Sequence, residues 1–331
     1  MAAPRARVID DSLPQTRGAI RRLLDTALGQ GLLAHGEIAV GVSGGADSLA
    51  LAAASAYVAQ RLDLRVHGLI VDHGLQTGSA QVAEDAAATL GKLGIDTVHV
   101  LPVAVGAEGG PEAAARRSRY AALRAALPAP DALVLLGHSL DDQAETVLLG
   151  LGRGSGPRSI SGMRPLDPPW GRPFLGLPRA VTVAACARLG LTPWADPHNV
   201  DPRFTRVRLR SEVLPLLEEV LNGGVAAALA RTAAQLREDT EALDEWAARV
   251  LPEPTGTELA VNDLVDLPAA IRRRVLRRWL LAASVRELTD AQLRSLDELV
   301  GDWRGQGGVW LPGGLVVRRA HGRLLLVLPN Q

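Results

Sequence analysis

The stretch Glu37-Ile38-Ala39-Val40-Gly41-Val42-Ser43-Gly44-Gly45-Ala46-Asp47-Ser48 decides the fold. Its first half is a near-continuous apolar run, which reads as a strand buried on both faces of a parallel sheet. The chain then meets two glycines and must turn into the Ala- and Leu-rich helix that begins at Asp47. Glycines let a backbone approach an anion closely, and successive N–H groups at a helix start point towards it. Ser43 and Ser48 add hydroxyl donors. Asp47 is out of place beside a phosphate unless it holds a Mg²⁺ ion that in turn binds pyrophosphate oxygens. The loop lacks the Gly-Lys-Ser/Thr of a Walker loop and the three-glycine spacing of a dinucleotide site. A plain glycine turn is the competing explanation; strand context, two serines and the aspartate together favour a phosphate-binding loop made by Ser43, Gly44, Gly45, Ala46, Asp47 and Ser48.

Outward from this loop, further strands are expected at Val66–Val71, Thr97–Val103 and Ala132–Gly137. Helices fit between and after them at 47–62, 79–93, 111–127 and 140–151, with Pro111 as a first-position start signal. The alternation predicts an α/β fold with a doubly wound, mostly parallel sheet, whose ligand sits outside the carboxyl ends of the strands. Residues 153–178 are rich in Gly and Pro and suggest loops with a short strand near Arg172–Leu177. Helices follow at 179–189 and up to Leu221, where Asn222-Gly223-Gly224 breaks the pattern. That break divides the chain into an N-terminal domain, 1–221, and a smaller C-terminal α+β domain, 222–331. The latter begins with a long helix, 225–250, then helices near 268–283 and 289–301, a hairpin around Pro312-Gly313-Gly314 and a last strand after His321-Gly322.

Composition limits the function. Formal net charge is zero, so any polyanion must be met by local patches rather than a global field. Thirty-six residues are Lys or Arg, Lys92 being the one lysine, a bias that suits phosphate recognition and that a high-GC genome also produces. The single cysteine, Cys186, excludes a disulfide framework and a Cys-based zinc site, and its apolar helical surroundings mark it as a small core residue. The N-terminal residues lack an apolar signal-peptide core, and no apolar run approaches the roughly 20 residues a bilayer requires. No membrane partner and a cytoplasmic location are expected.

Chemistry-bearing residues gather where strands end. His138 and Ser139 close the fourth strand, and Asp141, Asp142 and Glu145 open the next helix, Asp142 and Glu145 being three apart on one face. Complementing the helix dipole is the alternative for these acids. Arg116 and Arg119 are also three apart, so both can reach one anion, unless they are a solvated face.

SGG-x-DS after a first strand resembles the PP-loop ATP pyrophosphatases, a Rossmann-like superfamily that splits ATP to AMP and pyrophosphate. The segment GHSLDDQAETVLLGLGRGSGPRSISGM, 137–163, resembles the second signature of tRNA(Ile)-lysidine synthetases. VDHGLQ (71–76), EAAARRSRY (112–120), RPFLGLPR (172–179) and ADPHNVDPRFTRVRLR (195–210) are similar to further motifs of that family. His198, Val207 and Ser159 depart from its usual Ser, Asn and Gly.

The resemblance implies ATP as substrate with Mg²⁺ held by Asp47 and Asp142, and the adenine met by backbone near Val71. It implies catalytic roles for Asp142, His138, Glu145 and Arg116, and RNA or phosphate contacts for Arg119, Arg153 and Arg206. The implied reaction adenylates the C2 carbonyl oxygen of the wobble cytidine in tRNA-Ile with a CAU anticodon; free L-lysine then attacks C2 and displaces AMP to give lysidine, which changes AUG to AUA decoding. The basic helix RRRVLRRW, 272–279, is either an RNA contact or a solvated face. A homodimer is an open option. The rivals are an NAD synthetase-like ATP pyrophosphatase, which the RG-x-G…GM segment and separate C-terminal domain disfavour, and a non-catalytic nucleotide-binding protein, which has no need for two acids near the phosphates.

Overall fold

A computed structural model describes residues 11–74, 78–95, 97–104, 106, 110–154 and 156–328. The N-terminal ten residues, Leu75 and Gln76 of the VDHGLQ motif and Ser155 of the RG-x-G segment therefore lie outside the described residues. Two compact units divide it: 1–149 with 162–231, and 150–161 with 232–331.

The first unit opens with helix α1 (Ser12–Gly29), then β1 (Glu37–Val42), α2 (Ala46–Ala59), β2 (Arg65–Asp72), α3 (Ser79–Lys92), β3 (Thr97–Pro102) and α4 (Pro111–Ala125). After β4 (Leu133–Leu135) and α5 (Leu140–Gly152), the one-turn α6 (Pro157–Ile160) lies in the segment that groups with the second unit. The first unit resumes with β5 (Leu166–Asp167), β6 (Trp170–Gly171), α7 (Arg179–Arg188), α8 (Thr205–Arg208) and α9 (Leu214–Val220). The sheet order is β3-β2-β1-β4-β6-β5, parallel except for β5 against β6. Side chains alternate along each strand, and here both sets are buried. Ile38, Val40, Leu133 and Leu135 enter one core with α1, α2 and α3, while Ala39, Leu69, Val134 and Leu136 enter another with Leu123 of α4. The doubly wound, mostly parallel sheet expected from the sequence is what forms.

Several elements differ from expectation. Helix α1 was not anticipated, although Ile20, Leu23, Leu24 and Ala27 fall at helical spacing and are buried. Strand β3 is an edge strand with Val100 43% exposed, so its apolar run does not mean burial on both faces. In place of a strand near 172–177, β6 stops at Gly171 and a 3₁₀ turn spans Pro173–Gly176, since Pro173 has no N–H for a ladder. The helix that ends near Leu221 is interrupted by a π-helical turn at Leu209–Val213. Pro215, two residues on, cannot donate to the carbonyl four residues before it, and the ladder widens there.

The second unit carries α10 (Val225–Val250, whose first turns belong to the first unit), β7 (Glu258–Ala260), α11 (Ala269–Ala282), α12 (Asp290–Gly301), β8 (Val309–Trp310), β9 (Val316–Ala320) and β10 (Arg323–Val327). Thr289 and Gln292 close a capping box at the start of α12. The expected hairpin is part of a four-stranded antiparallel sheet, β7-β10-β9-β8, in which the short strand β7 was not foreseen. Trp279, Leu276, Leu296, Val317 and Leu324 form its core. Among the described residues no single helix is long and apolar enough to cross a membrane.

Candidate functional site

Parallel strands β1, β2 and β4 end at one edge, and the loop at 43–45 leaves β1 there. Gly44 takes φ +81°, a conformation that favours glycine, and Gly45 is the extended N-cap of α2. Ser48 Oγ donates to the Gly45 carbonyl at 2.9 Å and accepts from the Ser43 N–H at 3.2 Å, with Ser43 Oγ 3.4 Å away. The two hydroxyls thus brace the loop. Trp194 N–H holds the Gly44 carbonyl at 2.9 Å from outside. Gly137, beyond the end of β4, packs so closely that a Cβ there would lie 3.0 Å from the backbone carbonyl of Asp47. Cys186 is buried behind the loop and its thiol donates to the Ala46 carbonyl at 3.3 Å; burial pushes that thiol up to about 11.

The carboxylates of α2 and α5 converge on arginines. Arg179 Nη2 stands 3.0 Å from Asp47 Oδ2 and 3.4 Å from Asp142 Oδ1, so two acids from different helices meet at one guanidinium. Thr182 Oγ1 donates to Asp47 Oδ1 at 2.5 Å. The N–H and hydroxyl of Ser139 donate to Asp142 Oδ2 at 2.8 and 2.9 Å. Arg210, carried on the π turn, bridges Asp142 Oδ1 at 3.1 Å and Glu145 Oε1 at 2.6 Å. Glu145 is fully enclosed; its Oε2 makes no hydrogen bond and sits 3.5 Å from Arg206 Nη1. Arg179 N–H is held by Asp141 Oδ2 at 2.8 Å, which ties the start of α7 to α5.

These surroundings separate the three acids electrostatically. Burial raises the pKa of Asp47 despite Arg179 and Thr182, and burial raises that of Glu145 despite Arg210. Burial acts on Asp142 too, but Arg179, the Ser139 N–H, His138 and Arg210 outweigh it and lower its pKa. His138 keeps an enclosed Nδ1 with no hydrogen bond. Burial, with Arg172, Arg116 and Arg206 nearby, lowers it to about 4 against the pull of Asp142. Its imidazole is therefore neutral at physiological pH.

The structure brings Asp47, Asp142, Glu145, His138 and Arg206 into one cluster, with Arg116 near enough to act on His138. Arg116 itself lies 4.9 Å from the Tyr120 ring centroid and donates to its hydroxyl at 3.2 Å. Arg119 Nε faces His73 Nε2 at 3.4 Å, beyond the end of β2 where Val71 also lies. Arg153 falls in the segment that groups with the second unit. Among the described residues no group of three or more His, Cys, Asp or Glu side chains has metal-ligand geometry. Two carboxylate oxygens converging on a single cation do suit Mg²⁺, which takes few protein oxygens and completes its shell with water and substrate phosphate.

Two family models match the chain: a PP-loop domain over residues 17–217 and the TilS substrate binding domain over 259–325. A tRNA(Ile)-lysidine synthase of Rhodococcus erythropolis is 59% identical over 295 residues, covering 87% of this chain and 89% of that protein. The chain belongs to the tRNA(Ile)-lysidine synthase family. The Mycobacterium tuberculosis family member is 62% identical over 82% of this chain and 83% of its own length. That of Rhodococcus jostii is 54% identical over 97% of this chain and 98% of its own. Among solved structures, a U34-tRNA thiolase of Methanococcus maripaludis superposes with TM-score 0.56 at 18% identity, over 70% of this chain and 81% of that one, a likeness of fold.

Sequence reasoning missed Arg179, Arg210 and Thr182 as parts of the cluster. Arg179 and Arg210 lie inside the RPFLGLPR and DPRFTRVRLR segments that carry the resemblance to this family, so the positions were marked but their partners were not. Those partners are 37 and 68 residues away for Asp142, and 135 for Thr182 with Asp47.

Proposed function

We propose that this family member joins free L-lysine to C2 of the wobble cytidine in tRNA-Ile bearing a CAU anticodon, through an adenylated cytidine. The observation that carries this reading is the meeting of Asp47 and Asp142 on Arg179, beside a phosphate-type loop and backed by buried Glu145. In the first step the C2 oxygen attacks the α-phosphorus of ATP and pyrophosphate leaves. In the second the lysine ε-amine attacks C2, the C–O bond breaks and AMP departs, so the cytidine oxygen leaves on AMP.

Each residue class has a place in that scheme. The loop 43–48 and the start of α2 offer backbone N–H groups to the phosphates. Asp47 and Asp142 would hold Mg²⁺, which when bound neutralises charge on the pyrophosphate oxygens. Arg179 sits between these acids and can follow the negative charge as it moves to the leaving group. Lysine enters as an ammonium ion and must shed protons before attack. Glu145, buried and with its pKa raised, is the group suited to accept one, while Asp142 stays ionised to bind the cation. Neutral His138 offers a nitrogen to a substrate hydrogen bond. Arg116, Arg119 and Arg206 lie towards the same edge and suit phosphate or RNA contacts, Arg153 the RNA backbone, and the Val71 backbone the adenine. A tRNA substrate is consistent with work in the cytoplasm.

The test is incubation with ATP, Mg²⁺, labelled lysine and an unmodified CAU-anticodon tRNA-Ile transcript. Label should enter the RNA with one AMP released per lysine joined. ATP cleavage to AMP with another acceptor and no label in RNA would remove the assignment.

A further inference from the structure

The basic helix RRRVLRRW resolves into arginines with very different partners. Arg272 and Arg273 are taken by Asp297 at 2.7 and 3.4 Å, and Arg272 also donates to the Leu267 carbonyl. Arg278 donates to the carbonyls of Leu251 and Pro252 at 2.9 and 2.8 Å, where α10 ends. Arg274 pairs with Asp244 of α10 at 3.0 Å. Asp244 is already claimed by Arg158 of α6, whose Nη2 lies 2.6 and 2.8 Å from its two oxygens. Arg277 is one helical turn from Arg274, on the same side of α11. Among the described residues it makes no hydrogen bond and no ion pair.

Within this second unit, Arg158 and Arg274 therefore share Asp244, Arg277 lies within its electrostatic reach, and the same α10 face adds Arg237 and Glu241. Four cations stand against two carboxylates. Asp244 has its two arginine partners without Arg277, whose guanidinium meets the repulsion of Arg158 as well as the attraction of Asp244. Burial and the neighbouring Arg158 push Arg277 down from the usual arginine range, against the help of Asp244. A half-buried cation in that position gains from an anion supplied from outside. With zero net charge on the chain, an RNA substrate has to be held at such local excesses.

We propose that Arg277 and Arg158 form a phosphate-binding site for the backbone of the RNA substrate, with Asp244 orienting the Arg158 guanidinium and Arg277 carried one helical turn from Arg274. This rests on the tRNA reading above and deepens it. The site is separate in sequence and in structural unit from the acid–arginine cluster of the phosphate loop. A phosphodiester gives the pair an acceptor with oxygens to spare, and guanidinium groups bind phosphate in directed hydrogen bonds.

The experiment is binding of unmodified CAU-anticodon tRNA-Ile across a salt series to the wild type and to Arg277→Gln, Arg158→Gln, Arg277→Lys and a control, Arg294→Gln. Arg294 also lies in the second unit but is exposed and already paired with Asp290. Loss of one phosphate contact should lower the slope of log affinity against log salt by about 1 and weaken binding about tenfold near 0.1 M salt. Arg277→Gln and Arg158→Gln should each do so with ATP binding unchanged, and Arg277→Lys should keep the wild-type slope. The site is overturned if the wild type binds and both glutamine variants keep its slope, or if Arg294→Gln falls equally. A wild type that binds no tRNA would instead sink the functional reading on which the site depends.

Discussion

Two arginine–carboxylate networks in this chain use the same chemistry to different ends. In the second unit, Asp297 of α12 takes Arg272 Nε at 2.7 Å and Nη2 at 3.3 Å and Arg273 at 3.4 Å, and the remaining Arg272 donor goes to a backbone carbonyl. That network ties α11 to α12 and is internally closed. In the first unit, Asp47, Asp142 and Glu145 are also met by arginines, yet Glu145 Oε2, His138 Nδ1 and Arg179 Nε make no hydrogen bond there. Buried polar atoms without partners are costly in a finished core. Left open at the carboxyl edge of a parallel sheet, they are what a ligand completes. Between these two networks, unspent hydrogen-bonding capacity, rather than arginine or aspartate as such, makes the difference.

Substitutions can break this contrast. The largest effect is expected from Asp142→Asn, which keeps shape but removes the charge shared by Arg179 and Arg210. Lysine incorporation should fall roughly 10³-fold or more, far beyond any loss of folded protein that follows from removing a charge the fold stabilises. A variant that loses activity only in proportion to its folded fraction would place Asp142 with the scaffold. Arg210→Met should do both kinds of harm. It leaves enclosed Glu145 without its closest cation, so denaturant unfolding should show a loss of about 4 kcal/mol together with lost turnover. Arg272→Met should cost about 3 kcal/mol of stability, because Asp297 loses its main partner, and leave ATP binding by the folded protein intact. Altered ATP affinity in that variant would show that the two networks are not as different as their geometry indicates.

How much of this the sequence disclosed follows from the range of the interactions. The phosphate loop was legible because its signals are contiguous: an apolar strand, two glycines, and Ser43, Asp47 and Ser48 within six residues. The 3.6-residue pattern likewise placed the helix at Val225–Val250, bounded by Gly223-Gly224 and Pro252. Helix α1 carries a helical pattern in Ile20, Leu23, Leu24 and Ala27, but no start signal as clear as Pro111 marks its beginning. The edge position of β3 was not readable, since an apolar run does not state which strands flank it. Nor was the role of Arg210, which depends on a widened turn near Pro215 and on acids in a distant helix. The basic helix shows the same limit. Its five arginines look alike in sequence, and only their partners distinguish Arg277 from Arg272.

The most direct test of the site's chemistry omits lysine. With ATP labelled at the α-phosphate and unmodified CAU-anticodon tRNA-Ile, the wild type should transfer label to the RNA and release it as AMP when lysine is added, and Asp142→Asn should do neither. Equal labelling of a tRNA whose wobble cytidine is replaced by uridine, or undiminished transfer by Asp142→Asn, would contradict adenylation of that cytidine at the Asp47–Arg179–Asp142 cluster.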